Sequence, residues 1–199
     1  MSDLAKALNS AKTALEIEIG ALNKFAQGVE GKIEPALKLL TQSTGRVIIT
    51  GLGKSGLVGA KIAATLSSTG TPAYFIHSTD ALHGDSGAIQ SGDVVIAISN
   101  SGQTEEVVAV AQLAKSWGNK VIAITGKPES ELGRIADVVL DISFEKESDP
   151  NGLAPTTSTT LTIALGDALA AALITHKNFT VQDFGKRHPG GSLGKKSNG

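Results

Sequence analysis

The sequence contains no cysteine at all. Disulfides, thiolate nucleophiles and cysteine–zinc sites are therefore excluded, and the absence is typical of a reducing compartment. An excess of charge of either sign is missing too, because the formal net charge of the 199 residues is −1. A chain so nearly neutral gives no reason to expect a polyanionic partner, and we expect no nucleic acid among its partners.

Segments that would enter a membrane are also lacking. The N-terminal stretch MSDLAKALNSAKTALEIEIG carries acids throughout and has no apolar block of the kind that a signal peptide requires. The longest apolar run, residues 161–174, falls short of the ~20 residues that span a bilayer, and it contains Asp167. We expect a soluble, cytoplasmic protein without a membrane partner.

The composition is that of a folded domain. Hydrophobic residues make up 41% and charged residues 19%, a balance that allows a substantial core. The length suggests one domain, and no internal repeat or low-complexity linker divides it. Within residues 1–199 we expect an N-terminal helical segment (1–44), an α/β core (45–177) and a polar, glycine-rich C-terminal tail (178–199).

Five short apolar runs, rich in β-branched residues, alternate with segments of helical character. The runs predict buried parallel strands at residues 47–50, 73–77, 94–98, 120–125 and 138–142. Helices are predicted between them at 54–68, 104–117 and 130–136, with a last one at 158–177. The alternation favours an α/β fold, a doubly wound five-stranded parallel sheet with N-terminal helices. In the flavodoxin-like order 2-1-3-4-5, ligands bind between strands one and three, beyond their carboxyl ends.

Two helices precede this pattern. The first is predicted over residues 1–27 by an apolar stripe at helical spacing, formed by Leu4, Leu8, Ala11, Leu15, Ile19, Leu22 and Phe25. The second is predicted from Glu34 to about Thr44, with Pro35 in its first turn. Together with the alanine-rich last helix, the stripe offers more apolar surface than one small sheet can cover, which predicts a symmetric oligomer.

The turn after the first strand, TGLGKSG at residues 50–56, contains two nucleotide-binding patterns. A P-loop is excluded by spacing, since its first glycine would fall on Ile48 within the strand. The three glycines match the dinucleotide pattern G-x-G-x-x-G. However, the acid that would hold a ribose at the end of the second strand is missing before Asp80. A dinucleotide is therefore a less favoured ligand than another phosphate.

The loop after the third strand, SNSGQT at residues 99–104, is rich in hydrogen-bonding groups. Ser99, Ser101 and Thr104 supply hydroxyls and Asn100 an amide, at the positive end of the following helix. Free backbone amides at that terminus add donors, and Gly102 permits close approach of the backbone. A plain N-cap would explain Thr104 and the two acids after it, but not the other polar residues. The pattern favours a site for a phosphate monoester.

Strand-GLGKSG-helix followed by strand-SNSGQT-helix resembles a sugar isomerase (SIS) domain, and the closer likeness is to the arabinose-5-phosphate isomerases. The stretches that carry the resemblance are GKSG (53–56), STGTPAYFIH (68–77), LHGDSG (82–87), AISNSGQTEE (97–106), ITGKPES (124–130), NGLAPTTSTT (151–160), GDALAAAL (166–173) and DFGKRHPGGSLG (183–194). They cover nearly the whole chain, and the HGD, GLAPT and HPGG segments are much more specific than any glycine motif. Relatives usually continue past HPGG into paired cystathionine-synthase (CBS) modules, so the chain resembles a stand-alone catalytic form or a truncation.

The resemblance implies the SIS fold and an intramolecular oxidoreductase that interconverts D-ribulose 5-phosphate and D-arabinose 5-phosphate through an enediol. The product would supply 3-deoxy-D-manno-octulosonate (Kdo) synthesis for lipopolysaccharide or capsule. A homotetramer with active sites shared between subunits is implied as well. Two alternatives stay open: an isomerase of another phosphosugar, and a non-catalytic phosphosugar-binding sensor domain.

By resemblance, four side chains are catalytic, namely Lys54, Glu106, Glu147 and His188. Lys54 lies where a cation opposes the helix dipole, so an anion should compensate it. On the residues alone, Glu106 is equally well a surface acid in a helix's first turn. Glu147 reads as a solvated loop residue, and His188 as an ordinary residue of a polar tail.

Further substrate contacts are implied by resemblance at Gly70, Thr71 and His83, while Ser55 is expected to help hold the phosphate. His77 matches a position that can hold zinc in relatives, as an inhibitor more than as a cofactor. Two histidines on one loop are in themselves a weak metal signal. We expect no required cofactor and, at His77, an inhibitory zinc site.

Overall fold

The computed structural model describes residues 2–189. Five short strands form one sheet: β1 (Val47–Gly51), β2 (Ala73–His77), β3 (Val94–Ile98), β4 (Lys120–Thr125) and β5 (Val138–Asp141). Every neighbouring pair is parallel, and the spatial order is β2-β1-β3-β4-β5. The α/β class and the flavodoxin-like order predicted from the sequence are both confirmed.

Helices flank the sheet on both faces. In chain order they are α1 (Asp3–Ala26), α2 (Val29–Gln42), α3 (Gly53–Ser68), α4 (Ser78–Leu82), α5 (Glu105–Ser116), α6 (Glu131–Ile135), α7 (Thr157–His176) and α8 (Val181–Arg187), with a 3₁₀ turn at Asp85–Ala88. The helices predicted between the strands and after β5 are confirmed to within one residue at each end. The short α4, the 3₁₀ turn and α8 were not predicted, although the pattern T-x-x-D at Thr180 signals the start of α8. There Thr180 and Asp183 form a capping box.

Alternate strand residues face two apolar clusters, one on each side of the sheet. Val47 and Ile49 of β1 join the first cluster, with buried residues of α2, α3 and α7. Ile48 joins the second, with α5 and Leu132 of α6. Because both faces of the sheet are covered, the strands are mainly apolar, and the central β3 is apolar throughout. This is the pattern that located the strands in the sequence.

The second N-terminal helix differs from its prediction. It begins at Val29, well before Glu34, so that Pro35 lies inside the helix and not in its first turn. Gly28, with a φ of +69°, lets the chain turn directly from α1 into α2. The proline removes one backbone hydrogen bond, a loss that tertiary packing of α2 against the core can offset because Ala36 and Leu40 are buried.

The apolar stripe of α1 lies largely in solvent. No residue of α1 is buried, and four members of the stripe are 56–70% exposed, namely Leu4, Leu8, Leu15 and Ile19. The C-terminal half of the helix packs against the first cluster through Ala21, Leu22 and Phe25. A row of exposed apolar side chains is typical of a surface that meets another chain.

Among the described residues, α7 is the one helix long and apolar enough to cross a membrane. It extends the apolar run of residues 161–174, so the run's shortness was not a sound reason to exclude a span. Half of its apolar window is buried inside the protein, and Leu161, Leu165 and Leu169 belong to the first cluster. This burial identifies α7 as a core helix.

Candidate active site

The residues that follow β1 and β3 meet at the side of the sheet where the parallel strands end. We call this side the carboxyl edge. Gly51, the last residue of β1, is in register with Ile98, the last residue of β3. The turn into α3 and the loop 99–104 therefore lie side by side beyond the carboxyl ends of the strands, where the strand order reverses. This is the crevice in which the sequence predicted a ligand.

The first turn of α3 brings a cation and a hydroxyl to this edge. Lys54 is exposed at the second position of the helix, and Ser55 follows it, half-buried. Leu52 occupies the N-cap position and offers no side-chain hydrogen bond to the first-turn amides. The helix start therefore combines free backbone donors with a positive side chain, which suits an anion.

The loop 99–104 is held together by its own hydroxyls. Ser99 is buried, and its Oγ lies 2.9 Å from Thr104 Oγ1 and accepts a hydrogen bond of 3.1 Å from the Gly102 amide. Ser101 is exposed, and its Oγ accepts from the Gln103 amide at 3.2 Å. Thr104 occupies the N-cap position of α5 but makes no capping bond, because its hydroxyl turns to Ser99. A plain N-cap therefore does not explain Thr104.

Two further features shape this loop. The Oδ1 atom of Asn100 is buried without a hydrogen-bond partner among residues 2–189. Gly102 has a φ of +63°, and an added Cβ would overlap Ser130 Oγ. The sequence suggested that this glycine makes room for a ligand, whereas the neighbour that it admits is the start of α6.

Glu106 lies in the first turn of α5, directly after the loop. It is half-buried, whereas Glu105 beside it is exposed. Both carboxylates complement the positive end of the helix. The partial burial distinguishes Glu106 from a fully exposed surface acid. Its position in the first turn of α5 puts it at the same end of the strands as Lys54.

Glu147 is not the solvated loop residue that its sequence context suggested. It is half-buried, and its Oε2 atom accepts three hydrogen bonds: from Thr156 N at 2.9 Å, from Thr156 Oγ1 at 3.2 Å and from Ser158 N at 3.1 Å. The carboxylate thus binds the first amides of α7, which lack a side-chain cap from Thr156. Glu147 also lines a cavity of about 480 Å³ between α1 and the residues 146–152.

A second carboxylate shapes the segment between Glu147 and α7. Asp149 accepts hydrogen bonds from the amides of Asn151, Leu153 and Ala154 at 2.7–2.9 Å. The amide of Asn151, followed by those of Ala154 and Leu153, holds the pKa of Asp149 below its usual value. The GLAPT segment is therefore an ordered turn built on one carboxylate.

His77 and His83 lie at the carboxyl edge too, at the end of β2 and just after α4. His77 is half-buried and packs edge-on against Phe75, with ring centroids 6.4 Å apart, while His83 is exposed. No cluster of three or more metal-ligating side chains occurs in the part of the chain that the structure describes. Zinc at His77 stays a prediction.

Gly70 and Thr71 lie on the opposite side of the sheet, where the strands begin. They precede β2, and the Val47 amide donates to the Pro72 carbonyl at 2.9 Å at the start of β1. The length of a five-residue strand, ~13 Å, therefore separates their turn from the loop 99–104 along the strand direction. A lysine that the sequence did not single out holds this turn: Lys177 Nζ donates to Thr71 Oγ1 at 2.9 Å and to the Gly70 carbonyl at 3.3 Å.

His188 belongs to the same end of the molecule as Gly70. The Phe179 ring fills the space beside Gly70, and the Arg187 guanidinium lies 5.1 Å from the centroid of that ring. His188 follows directly, stacked on Phe184 with a centroid distance of 3.8 Å. Its Nδ1 lies 2.9 Å from the Phe184 carbonyl and can donate to it, which leaves Nε2 as the acceptor nitrogen. The predicted tail beyond residue 189 lies outside the described residues.

The structure thus divides the predicted site in two. The first group lies at the carboxyl edge of the sheet and consists of Lys54, Ser55, the loop 99–104, Glu106, Glu147, His77 and His83. The second group lies toward the amino ends of the strands and consists of Gly70, Thr71 and His188. The sequence indicates each group separately, but it gives no sign that the fold keeps them apart.

A doubly wound parallel sheet, with a hydroxyl-rich loop leading into a helix at its switch point, is typical of α/β proteins that bind small ligands there. The chain belongs to the SIS domain family, which it matches over residues 39–172. It is 47% identical over 196 residues to arabinose 5-phosphate isomerase KdsD of Pseudomonas aeruginosa, covering 98% of this chain and 60% of that protein. It is 46% identical over 190 residues to arabinose 5-phosphate isomerase KpsF of Escherichia coli O6:H1, covering 95% of this chain and 58% of that protein.

The solved structures agree with the sequence relatives. Escherichia coli CFT073 c3406 in complex with A5P has a TM-score of 0.89 and 39% identity, covering 95% of this chain and all of that one. This match confirms the SIS fold. The chain spans 56–60% of the length of the curated relatives that it matches.

Proposed function

We propose that this protein is an aldose–ketose isomerase that interconverts D-ribulose 5-phosphate and D-arabinose 5-phosphate. The observation that carries the proposal is the paired loops at the carboxyl edge, where the starts of α3 and α5 meet with Lys54 and Glu106 beside them. The names of the relatives and the A5P complex support this substrate over other phosphosugars. In this proposal the product feeds Kdo synthesis for lipopolysaccharide or capsule, in the cytoplasm.

The reaction removes a proton from C1 of the ketose and returns one to C2. The electron pair of the broken C–H bond forms the C1–C2 double bond of an enediolate, and its negative charge falls on oxygen. The phosphate contacts contribute positioning, which alone can supply a large part of the rate enhancement. No redox cofactor is needed, because the oxidation of one carbon and the reduction of its neighbour balance.

The proposed roles follow the geometry. Ser55, Ser101 and the first-turn amides hold the phosphate, and Ser99 and Thr104 hold the loop in shape. Lys54 neutralises the phosphate or the enediolate. Glu106 and Glu147 provide carboxylates at the carboxyl edge. His188, whose Nε2 is the acceptor nitrogen, opens the ring or moves the proton.

One chain does not bring His188 to Lys54, so we propose that each active site draws on two subunits of a homotetramer. The exposed apolar row of α1 supports an assembly, since Leu4, Leu8 and Leu15 lie in solvent in the single chain. In that assembly the Gly70 turn and His188 of one subunit complete the phosphate site of another. The substrate is then enclosed at the contact between chains.

The first experiment incubates purified protein with ribulose 5-phosphate in heavy water, with and without a chelator, and follows products by proton NMR. We expect arabinose 5-phosphate carrying deuterium at C2, in equal amounts with the chelator present. Added zinc should inhibit, and His77→Ala should relieve the inhibition. Neither conversion nor exchange, together with saturable phosphosugar binding, would instead indicate a sensor domain. Conversion of a different phosphosugar would correct the substrate.

The shared site is tested by complementation. Lys54→Met and His188→Gln are expected to be inactive when purified separately. After the two variants are unfolded and refolded together, hybrid oligomers should regain up to about one quarter of wild-type activity, because random mixing restores one site in four. No recovery, in hybrids verified by mass spectrometry, would place both residues in sites formed by one chain.

A further inference from the structure

Glu18 differs from every other acid of α1. The helix contains no buried residue, and its neighbour Glu16 is a typical surface acid whose side chain is 60% exposed and pairs with Lys12 at 3.6 Å. Glu18 is half-buried, and both of its carboxylate oxygens are engaged far along the chain. Oε1 accepts a hydrogen bond of 2.8 Å from Ser148 Oγ, and Oε2 accepts one of 3.1 Å from Thr160 Oγ1.

These two hydroxyls belong to the segments that Glu147 also joins. Ser148 follows Glu147 in the chain and is 5% exposed. Its amide donates to Thr156 Oγ1 at 2.8 Å, and that hydroxyl donates to Glu147 Oε2 at 3.2 Å. Thr160 lies one turn into α7 from Thr156, to whose carbonyl its amide donates at 2.9 Å. Glu18 and Glu147 therefore fasten the same loop to the same helix turn.

We propose that Glu18 is a positioning residue that fixes the carboxylate of Glu147. It acts from α1 by holding Ser148 and Thr160 at a set separation, so that Glu147 Oε2 stays on the amides of Thr156 and Ser158 and Oε1 keeps one orientation. Among residues 2–189, Oε1 of Glu147 accepts no hydrogen bond, and Glu147 lines the cavity beside α1.

Physical chemistry favours this arrangement. A half-buried carboxylate requires hydrogen bonds, and the Ser148 hydroxyl would lose its acceptor if Glu18 were removed. Glu18 also lies near the N-terminal end of the 20-residue α7, whose dipole favours a negative charge there. The contacts to Ser148 and Thr160 thus hold α1, the loop and the helix as one unit.

The consequence for activity rests on the proposed isomerase function, in which Glu147 is catalytic. A displacement of a catalytic group by ~1 Å can lower the rate by about 10²-fold. The phosphate loop belongs to other elements, so substrate binding should change little. Loss of Glu18 should therefore lower kcat and leave KM nearly unchanged.

The geometric part is tested without substrate. Amide hydrogen exchange is measured by NMR in the intact protein for wild type, Glu18→Ala, Glu18→Gln and the matched control Glu16→Ala. We expect the amides of Thr156 and Ser158 to exchange about tenfold faster in Glu18→Ala, because their acceptor is no longer held. Glu18→Gln should stay near wild type, since an amide can accept from one hydroxyl and donate to the other. Unchanged exchange in Glu18→Ala overturns the proposal.

The catalytic part is tested by steady-state kinetics on the same variants, with oligomeric state checked by gel filtration. Glu18→Ala should lower kcat about 10- to 100-fold with KM within about twofold, and Glu18→Gln should restore most of kcat. A lower melting temperature with unchanged kcat per folded molecule, or an equal loss in Glu16→Ala, overturns the proposal. If wild type converts no phosphosugar, the proposed function fails, and the exchange experiment still decides the role of Glu18.

Discussion

The Ser158 amide donates a 3.1 Å hydrogen bond to Glu147 Oε2, so a side chain predicted to be catalytic also binds the first turn of α7. Thr156, at the N-cap position, provides no side-chain cap of its own, and the carboxylate serves in its place. A structural duty is thus visible for Glu147, beside the chemical role proposed for it. The two duties can be separated by substitution.

Glu147→Ala leaves the amides of Thr156 and Ser158 without their acceptor, while the Thr156 hydroxyl keeps the Ala154 carbonyl at 3.3 Å. We expect the free energy of unfolding to fall by about 1–3 kcal/mol. Glu147→Gln keeps an acceptor oxygen and should lose less than half as much. Both variants should be deficient in isomerisation, because neither carries a carboxylate. Urea unfolding and the ribulose 5-phosphate assay check the two effects.

The control for this pair is Glu145→Ala, which removes an exposed carboxylate from the same loop. Equal losses of stability in Glu145→Ala and Glu147→Ala would show that the hydrogen bonds to α7 contribute nothing. Full activity in Glu147→Gln would remove Glu147 from the chemistry while leaving its structural contacts intact.

The sheet could be predicted from sequence because its information is local. Every residue of β1 and β3 is buried on both faces, so each strand appears as an unbroken apolar run bounded by a glycine or a polar loop. The loop 99–104, predicted to bind a phosphate, is equally local, since Ser99, Ser101 and Thr104 follow one strand. The alternation of strands and helices limits the sheet to a few doubly wound orders, and the flavodoxin-like order that we expected places this loop at the switch point.

What could not be predicted depends on contacts between distant residues. Ser148 and Glu18 are far apart in sequence, and no spacing rule joins them. The separation of His188 from Lys54 arises because α3 and α7 each run the length of the sheet, which a residue pattern does not report. The stripe of α1 has the right period for a helix, yet period alone does not distinguish a core face from an assembly face.

Gly102→Ala should destabilise the protein and deform the loop 99–104. An alanine there must keep a φ near +63° and would also overlap Ser130 Oγ, so the loss should exceed ~1 kcal/mol. Gly118→Ala separates the two effects, since Gly118 has a φ of +84° but no heavy atom near the added Cβ. Thermal unfolding should show a larger loss for Gly102→Ala. Ser130 Oγ also accepts from the Gly133 amide at the start of α6, so the loss caused by Gly102→Ala is measured both in wild type and in Ser130→Gly. The loss should be smaller in Ser130→Gly, and an equal loss would mean that the overlap is unimportant.

Asp93 makes stability depend on pH. Burial by itself would raise its pKa, but hydrogen bonds from the amides of Arg46 and Gln90 and from the Arg46 guanidinium outweigh this and hold the pKa low. A carboxyl with a lower pKa in the folded chain adds stability above its unfolded pKa of ~3.9. That stability is lost as the pH falls through the folded pKa. Relative to Asp93→Asn, wild type should be more stable by a constant amount between about pH 5 and 7, and the difference should shrink below about pH 4.

Urea unfolding across this pH range measures the difference. Asp3→Asn is the control, because Asp3 is fully exposed and pairs with Lys6 on its own helix. Stabilities of wild type and Asp93→Asn that fall in parallel down to pH 3 would contradict the linkage.

Lys177→Met should loosen the Gly70 turn. The ammonium group donates to Thr71 Oγ1 at 2.9 Å and to the Gly70 carbonyl at 3.3 Å, and Thr71 is only 3% exposed. Methionine keeps the length of the side chain but removes the donor, which should cost about 1 kcal/mol of stability at neutral pH. If the turn contacts substrate as proposed, KM should rise more than kcat falls. Lys38→Met, which breaks an exposed helical pair with Glu34, should change neither the stability nor the kinetic constants.

The pH dependence of this variant distinguishes the contact from a general loss of charge. Burial, and then the nearby Arg187, lower the pKa of Lys177 in the folded protein. The unfolded chain therefore binds more protons between that lowered pKa and ~10.4, so wild-type stability should rise with pH in this window relative to Lys177→Met. A difference that stays flat up to pH 10 would mean that the folded pKa is not lowered. A KM equal to that of wild type would mean that the turn acts in folding and not in binding.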